Sequence, residues 1–251
     1  MDCTVAIILA GLILAAPAQP RPQSVEEVIG LVQTAGKALN TYQARLEYIL
    51  EQPLLDSRTV RTGVIYYMRS AGTSRLRVSF QTLKQDDQQA QPCVEEFLFD
   101  GVWLTHIDYQ VKSVTKRQMT EPNRPRDAFD LASQEFPVIG FSDVNELLAG
   151  FESRLIHIDA NDQAIRSCQL EFVAKPGSRY AQRYRKIVFT IDAGTWLPSH
   201  VHAISAEGDI YLVNFTQAKV NASLNPSLFD VRPPAQFGPP QVIPLERHRK
   251  E

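Results

Sequence analysis

The sequence lacks several patterns that would assign it to a common functional class. Its 26 basic and 28 acidic residues nearly balance, so it has no basic stripe of the kind expected for nucleic-acid binding. It has no phosphate-binding loop, no dinucleotide fingerprint and no Gly-x-Ser-x-Gly elbow. Cysteine is scarce, with 3 residues in 251, and the cysteines are not clustered as in a zinc site. We therefore expect neither an enzyme nor a nucleic-acid-binding protein.

The N-terminal apolar run, residues 5–16, is too short to cross a bilayer, which takes about 20 helical residues. It has the length of a signal-peptide core, and Ala16-Pro17-Ala18 supplies a signal-peptidase site. We predict a signal peptide over 1–18, cleavage after Ala18 and a periplasmic protein. Asp2 and the lack of Lys and Arg before the run leave a retained membrane anchor as the alternative. Because no lipid-attachment cysteine ends the run, the mature protein is expected to be soluble.

Cleavage removes Cys3 and leaves Cys93 and Cys168. In an oxidising compartment this pair can form a disulfide, but two isolated cysteines can equally be small buried residues, so both alternatives stay open. His200 and His202 alternate on a predicted strand and can begin a zinc site, but no further ligand motif accompanies them. Neither a metal nor a cofactor is predicted.

The mature chain begins with a predicted amphipathic helix. Ser24 is a suitable N-cap, and Glu27 three residues later completes a capping box. The apolar residues that then recur at helical spacing are Val25, Val28, Ile29, Val32, Ala35, Leu39 and Tyr42. This pattern predicts a helix of about five turns.

After Tyr42 the apolar period changes to two, which is typical of antiparallel strands covered on one side. The predicted strands are 44–50, 60–68, 75–83, 94–99, 102–108, 110–119, 151–158, 165–173, 185–191, 197–204 and 210–219. Short helices are predicted at 127–131 and 142–149. Residues 235–251 are predicted to be an extended, partly mobile tail. Since no repeat or composition break divides the chain, a single α+β domain is predicted over 19–234.

Several segments resemble a known family, in the same order along nearly the whole mature chain. They are the N-terminal helix, Gly63-Val64-Ile65-Tyr66-Tyr67-Met68-Arg69, Arg75-Leu76-Arg77-Val78, Phe99-Asp100-Gly101-Val102-Trp103-Leu104, Thr195-Trp196-Leu197-Pro198 and residues 225–234. Together they resemble the LolA-like group, the periplasmic carriers of outer-membrane lipoproteins and their relatives. The resemblance implies a strongly curved antiparallel sheet, an unclosed half-barrel of about ten to eleven strands. The N-terminal helix and the short helices would form a lid over its apolar cavity.

The resemblance also implies that the apolar face of the sheet lines the ligand cavity. The candidate cavity residues are Ile65, Tyr67, Leu76, Val78, Phe80, Ile187, Phe189 and Ile191. The alternative is that they fill a closed core beneath the helix, as apolar strand stripes usually do. Arg69 shares the face of Ile65 and Tyr67, where a charge is costly unless it is paired. By the resemblance, Arg69 bonds to the lid backbone and holds the cavity closed; the alternative is an exposed arginine at a strand end.

The function implied by the resemblance is that of a monomeric, non-enzymatic periplasmic carrier. Its ligand would be the acyl chains of lipoproteins or another hydrophobic molecule. Its partners would be an inner-membrane donor complex and an outer-membrane acceptor. The alternative is a periplasmic sensor or scaffold of the same fold, which should co-purify with a stable membrane partner. For a carrier, the Arg69→Leu variant is expected to bind hydrophobic cargo and to release it poorly.

Overall fold

The structure, a computed structural model, describes residues 22–70, 72–128, 148–160 and 165–245. The predicted signal peptide, most of the two predicted short helices and the end of the tail lie outside these ranges. The described residues contain the helix α1 (Val25–Ala38) and twelve strands. These strands are β1 (Thr41–Gln52), β2 (Ser57–Ser70), β3 (Thr73–Gln85), β4 (Gln91–Phe99), β5 (Trp103–Asp108), β6 (Ser113–Gln118), β7 (Phe151–Ala160), β8 (Ile165–Ala174), β9 (Tyr184–Asp192), β10 (Leu197–Ser205), β11 (Ile210–Val220) and β12 (Gln241–Ile243).

The strands form one sheet in the order β12-β6-β5-β4-β3-β2-β1-β11-β10-β9-β8-β7. Neighbouring strands are antiparallel, except that β12 runs parallel to β6. Because β12 and β7 do not pair with each other, the sheet is not closed. The predicted α+β fold with an unclosed, mostly antiparallel sheet is confirmed.

The helix α1 begins as predicted and ends earlier. Ser24 Oγ accepts the Glu27 N–H at 3.2 Å, and the Glu27 carboxylate accepts the Gln23 N–H at 2.6 Å. These bonds satisfy backbone donors that a helix N-terminus leaves free. The prediction extended the helix to Tyr42, which instead belongs to β1.

The end of α1 is fixed by Asn221, a residue 181 positions beyond Asn40. Its side-chain oxygen accepts the N–H groups of Asn40 at 2.7 Å and Thr41 at 3.3 Å, and its amide donates to the Ala38 carbonyl at 3.1 Å. These bonds satisfy groups at the helix-to-strand junction. Helical periodicity could not indicate this stop, because it depends on a residue near the other end of the chain.

The apolar side of α1 packs against one face of the sheet. Val25, Val28, Ile29 and Val32 are buried in a single cluster with apolar residues of β1, β2 and β8 to β11. We call this face of the sheet the inner face and the opposite one the outer face. Full burial of one such side chain stabilises a fold by about 1.5–3 kcal/mol, so this contact accounts for the position of α1.

The C-terminal segment packs against the outer face. Arg77 donates two bonds to the Glu96 carboxylate, at 2.8 and 2.7 Å, and a third to the Leu228 carbonyl at 2.8 Å. The Arg75 guanidinium lies 5.0 Å from the centre of the Phe229 ring. Farther along, β12 pairs with β6. The tail predicted as extended therefore adds a twelfth strand, which the sequence did not indicate.

The two cysteines are free. Cys93 lies on β4 and Cys168 on β8, with six strands of the sheet between them. Neighbouring strands are about 4.8 Å apart, whereas a disulfide needs Cα atoms within about 7 Å. The predicted possible disulfide between Cys93 and Cys168 is therefore not formed. The structure has the other alternative, two isolated cysteines. Cys168 is fully buried, and this burial raises the pKa of its thiol to about 11.

Candidate ligand-binding face

The strand register places the predicted cavity residues on the inner face in two groups. One group lies on β2 and β3, where Ile65 faces Val78 and Tyr67 faces Leu76, and the other lies on β9. Six of the eight residues are at most 9% exposed and belong to the core; they are Ile65, Tyr67, Leu76, Ile187, Phe189 and Ile191. These six occupy the packed core beneath α1, whereas Val78 and Phe80 are half-buried.

Five rings form a continuous row on the inner face, which we call the aromatic row: Tyr211 on β11, Tyr48 on β1, Phe80 on β3, Phe97 on β4 and His106 on β5. Ring centres are 6.4 Å apart for Tyr211 and Tyr48, 6.4 Å for Tyr48 and Phe80, and 6.2 Å for Phe80 and Phe97. His106 stacks on Phe97 at 4.3 Å. All five side chains are half-buried. The row therefore offers a surface on which an apolar molecule can lie.

The sequence prediction included only Phe80 of this row. Tyr48, Phe97 and Tyr211 each continue an alternating apolar stripe on their own strand, so a strand-by-strand comparison of the stripes could have found them. Their mutual contacts depend on the pairing of β1 with β11, which joins distant parts of the chain. Burial, helped by the neighbouring Tyr211, raises the pKa of Tyr48 to about 12.

Phe80 reaches the row because glycine faces it on β2. The register between β2 and β3 shifts between Thr62 and Gly63, and Gly63 lies opposite Phe80. A Cβ atom at Gly63 would overlap the Ser79 carbonyl oxygen and lie 2.9 Å from Phe80 Cα. Only glycine allows the two backbones to approach so closely at this irregularity.

Arg61 and Glu95 lie beside the aromatic row and, together with His106 of the row, form a group that we call the charged cluster. Arg61 Nη1 on β2 lies 2.9 Å from Glu95 Oε1 on β4, and His106 Nε2 lies 3.3 Å from the other oxygen of Glu95. The Arg61 guanidinium is 5.8 Å from the centre of the Phe80 ring. Glu95 is buried, and a buried carboxylate is costly unless it is paired. Arg61 supplies that pairing while 32% of its own side chain stays exposed.

Arg69 and Asp127 connect β2, α1 and the segment after β6, and we call this pair the clasp. Arg69 Nε and Nη2 donate to Asp127 Oδ2 at 3.3 and 3.1 Å. Arg69 Nη1 donates to the carbonyl oxygens of Lys37 at 3.0 Å and Gly36 at 3.4 Å. These carbonyls belong to the last turn of α1, where a helix presents free acceptors and its negative dipole end. The bonding of Arg69 to helix backbone that the resemblance implied is present, and Asp127 is a partner that it did not indicate.

Two further bonds anchor the segment that contains Asp127. The Tyr67 hydroxyl donates to Asp127 Oδ2 at 3.0 Å, and the Ala128 N–H donates to Ser74 Oγ at 2.6 Å. Burial and the nearby Asp127 carboxylate raise the pKa of Tyr67, so its hydroxyl stays a donor at neutral pH. The clasp is therefore joined to strands β2 and β3 of the core.

The two histidines considered as the start of a zinc site, His200 and His202, lie on the outer face of β10. There His200 Nδ1 pairs with the Asn214 side chain. Within the described ranges, no group of three or more His, Cys, Asp or Glu side chains could hold a metal ion. The same part of the chain contains no helix with the length and apolar character needed to span a membrane.

No protein-family profile and no curated protein sequence matches this chain. Solved structures do match it. An uncharacterized conserved protein from Thermus thermophilus is 9% identical with a TM-score of 0.49, over 88% of this chain and 98% of that one. A chain of the Pseudomonas aeruginosa MucA/MucB complex is 18% identical with a TM-score of 0.45, over 82% of this chain and 60% of that one. A LolA superfamily protein from Nitrosomonas europaea is 10% identical with a TM-score of 0.35, over 83% and 98%.

Among the described residues, the unclosed sheet with α1 packed on its inner face agrees with the architecture that the LolA-like resemblance implied.

Proposed function

We propose that this chain is a non-enzymatic carrier that holds an acyl chain or another hydrophobic ligand against the aromatic row. The observation that supports the proposal is the row itself, five half-buried rings on the face that also forms the core. Apolar surface is stabilised by removal from water, and sites for small hydrophobic molecules are lined by aromatic side chains with a few polar groups. A ligand on the row would complete the burial of its rings.

The partial exposure of the clasp favours the proposal that α1 is a cover that can open. Its two side chains, Arg69 and Asp127, are 31% and 25% exposed, so water competes for their bonds. Ion pairs in such positions are weaker than fully buried ones. Under the proposal, Arg69 holds the end of α1 in its closed position and releases it when ligand enters or leaves.

The proposed setting is the periplasm, which the predicted signal peptide supports. There the monomer would take its ligand from an inner-membrane donor complex and pass it to an outer-membrane acceptor. A periplasmic sensor would use the same inner face but would stay bound to a membrane partner. Pull-down from periplasmic and membrane fractions separates the two roles, since a carrier should be recovered without a stable partner.

Ligand binding is tested with a hydrophobic fluorophore, N-phenylnaphthylamine, and its displacement by acyl compounds. Phe97→Ala removes the central contact between Phe80 and His106, and we expect an affinity about tenfold lower, because one aromatic contact is worth about 0.5–1.5 kcal/mol. Trp103→Ala is the matched control. Trp103 lies on the outer face of β5 beside Lys116, so its removal should leave the affinity unchanged.

Two results would contradict the proposal. One is a wild-type protein that binds neither the fluorophore nor acyl compounds. The other is an equal loss of affinity in Phe97→Ala and Trp103→Ala, which would mean that binding does not depend on the inner face. Native mass spectrometry of protein taken from its own periplasm adds an independent check, since a carrier should retain a bound lipid or acylated peptide.

A further inference from the structure

Within the charged cluster, Arg61 has hydrogen-bond donors that no other described residue uses. Arg61 pairs with Glu95 through Nη1, at 2.9 Å. Among the described residues, its Nε–H and Nη2–H groups take part in no hydrogen bond. Nε and Nη2 lie on one edge of the planar guanidinium and together form a two-pronged donor.

Two half-buried arginines, Arg77 and Arg69, show what this edge can bind. Arg77 uses Nε and Nη2 on the Glu96 carboxylate, at 2.8 and 2.7 Å. Arg69 uses the same two nitrogens on Asp127, at 3.3 and 3.1 Å. In both, Nη1 is left to bond a backbone carbonyl. Arg61 is arranged the other way round: its Nη1 faces a carboxylate, and its Nε–Nη2 edge bonds to none of the residues that the structure describes.

Arg61 is also in the right place to meet a ligand on the aromatic row. It lies opposite Tyr48 in the pairing of β1 and β2, and its guanidinium is 5.8 Å from the centre of the Phe80 ring. The salt bridge to buried Glu95 fixes the guanidinium, so little side-chain freedom is lost when a ligand binds. Asp108, which faces Glu95 from β5, is already occupied by the N–H groups of Gln110 and Val111.

We infer that the ligand carries a carboxylate, and that Arg61 binds it through the Nε–Nη2 edge while the acyl chain lies on the aromatic row. This inference rests on the proposed function and names its ligand class, an amphiphile of the fatty-acid type. A planar carboxylate with two acceptor oxygens fits the two-pronged edge. An alcohol of the same chain length has one oxygen and no charge, so it engages the edge far less well.

The test compares dodecanoate with dodecan-1-ol by isothermal titration calorimetry on the full mature chain. We expect dodecanoate to bind about tenfold more tightly to the wild type, because hydrogen bonds to charged groups are the stronger ones. Arg61→Gln should bring the acid down to the affinity of the alcohol and leave the alcohol unchanged. Arg45→Gln removes the same charge from an exposed position on β1 and should preserve the preference.

Since Arg61→Gln leaves Glu95 without its main partner, the double variant Arg61→Gln/Glu95→Gln is measured as well. It removes both charges and keeps two amides that can hydrogen-bond. Loss of the acid preference in both variants, with alcohol binding retained, supports the inference. Equal binding of acid and alcohol by the wild type, or an unchanged preference in the double variant, overturns it and leaves the carrier proposal intact. Failure of the wild type to bind either compound overturns both.

Discussion

The clasp predicts a measurable coupling between Arg69 and Asp127. Arg69→Met removes two bonds to the Asp127 carboxylate and two to carbonyls of α1. At about 1.5–3 kcal/mol for each hydrogen bond to a charged group, the four bonds would together contribute about 6–12 kcal/mol. Both side chains are a quarter to a third exposed, and all four bonds share one guanidinium. We therefore expect a much smaller loss, about 2 kcal/mol in the free energy of unfolding.

A double-mutant cycle divides this loss. Arg69→Met, Asp127→Asn and the double variant are compared by urea denaturation monitored by circular dichroism. The pair itself should contribute a coupling energy of about 1–1.5 kcal/mol, between the values for exposed and buried ion pairs. The remaining loss, about 0.5–1 kcal/mol, is assigned to the bonds with the α1 carbonyls and the helix dipole.

Amide hydrogen exchange gives the second readout. Without Arg69, the last turn of α1 should exchange faster in the native state, because Gly36 and Lys37 lose the donor that holds their carbonyls. A coupling energy near zero together with unchanged exchange in α1 would refute the reasoning. Arg69 would then act as an exposed arginine at a strand end, which is the alternative given in the sequence analysis.

Three further predictions follow from single residues. Gly63→Ala should lower the free energy of unfolding by on the order of 3 kcal/mol or more, because the added Cβ would meet backbone atoms. Gly30 lies in open space within α1, so Gly30→Ala should instead raise the free energy of unfolding by up to about 1 kcal/mol. In the native state a thiol reagent should modify Cys93 and leave the buried Cys168 unmodified until the protein unfolds. Burial, with His200 and Lys186 nearby, lowers the pKa of His202. The free energy of unfolding should therefore fall as pH drops below the ordinary histidine pKa of 6.5. His202→Gln should weaken that pH dependence.

Each of these has an outcome that contradicts it. Equal stability changes for the two glycine variants would mean that the close approach of β2 and β3 is absent. Rapid native modification of Cys168, or a mass two hydrogens lower than that of the dithiol, would contradict the free, isolated cysteines. For His202, the sign follows from linkage: between the lowered pKa of the folded state and the ordinary pKa of the unfolded state, the unfolded state binds more protons. An identical acid profile for the wild type and His202→Gln would show that this group does not contribute.

Local patterns in the sequence determined much of the architecture. The Ser24 and Glu27 positions indicated where α1 begins, and period-two alternation indicated eleven of the twelve strands and the side of each apolar stripe. Such features depend on residues a few positions apart, because caps and pleats are local geometry. The resemblance to LolA-like proteins then supplied the expectation of an unclosed sheet with a helical cover.

Tertiary structure decided which of these stripes meet. The pairing of β1 with β11 brings Tyr211 to Tyr48, and Asn221 ends α1, although the residues in each case are far apart in the chain. The same register placed six predicted cavity residues in the packed core and left Phe80 and Val78 at half burial. It also set Arg61 beside the aromatic row. Alternation assigns a side chain to a face, but only the register assigns its neighbours, and those neighbours decide whether a face is core or binding surface.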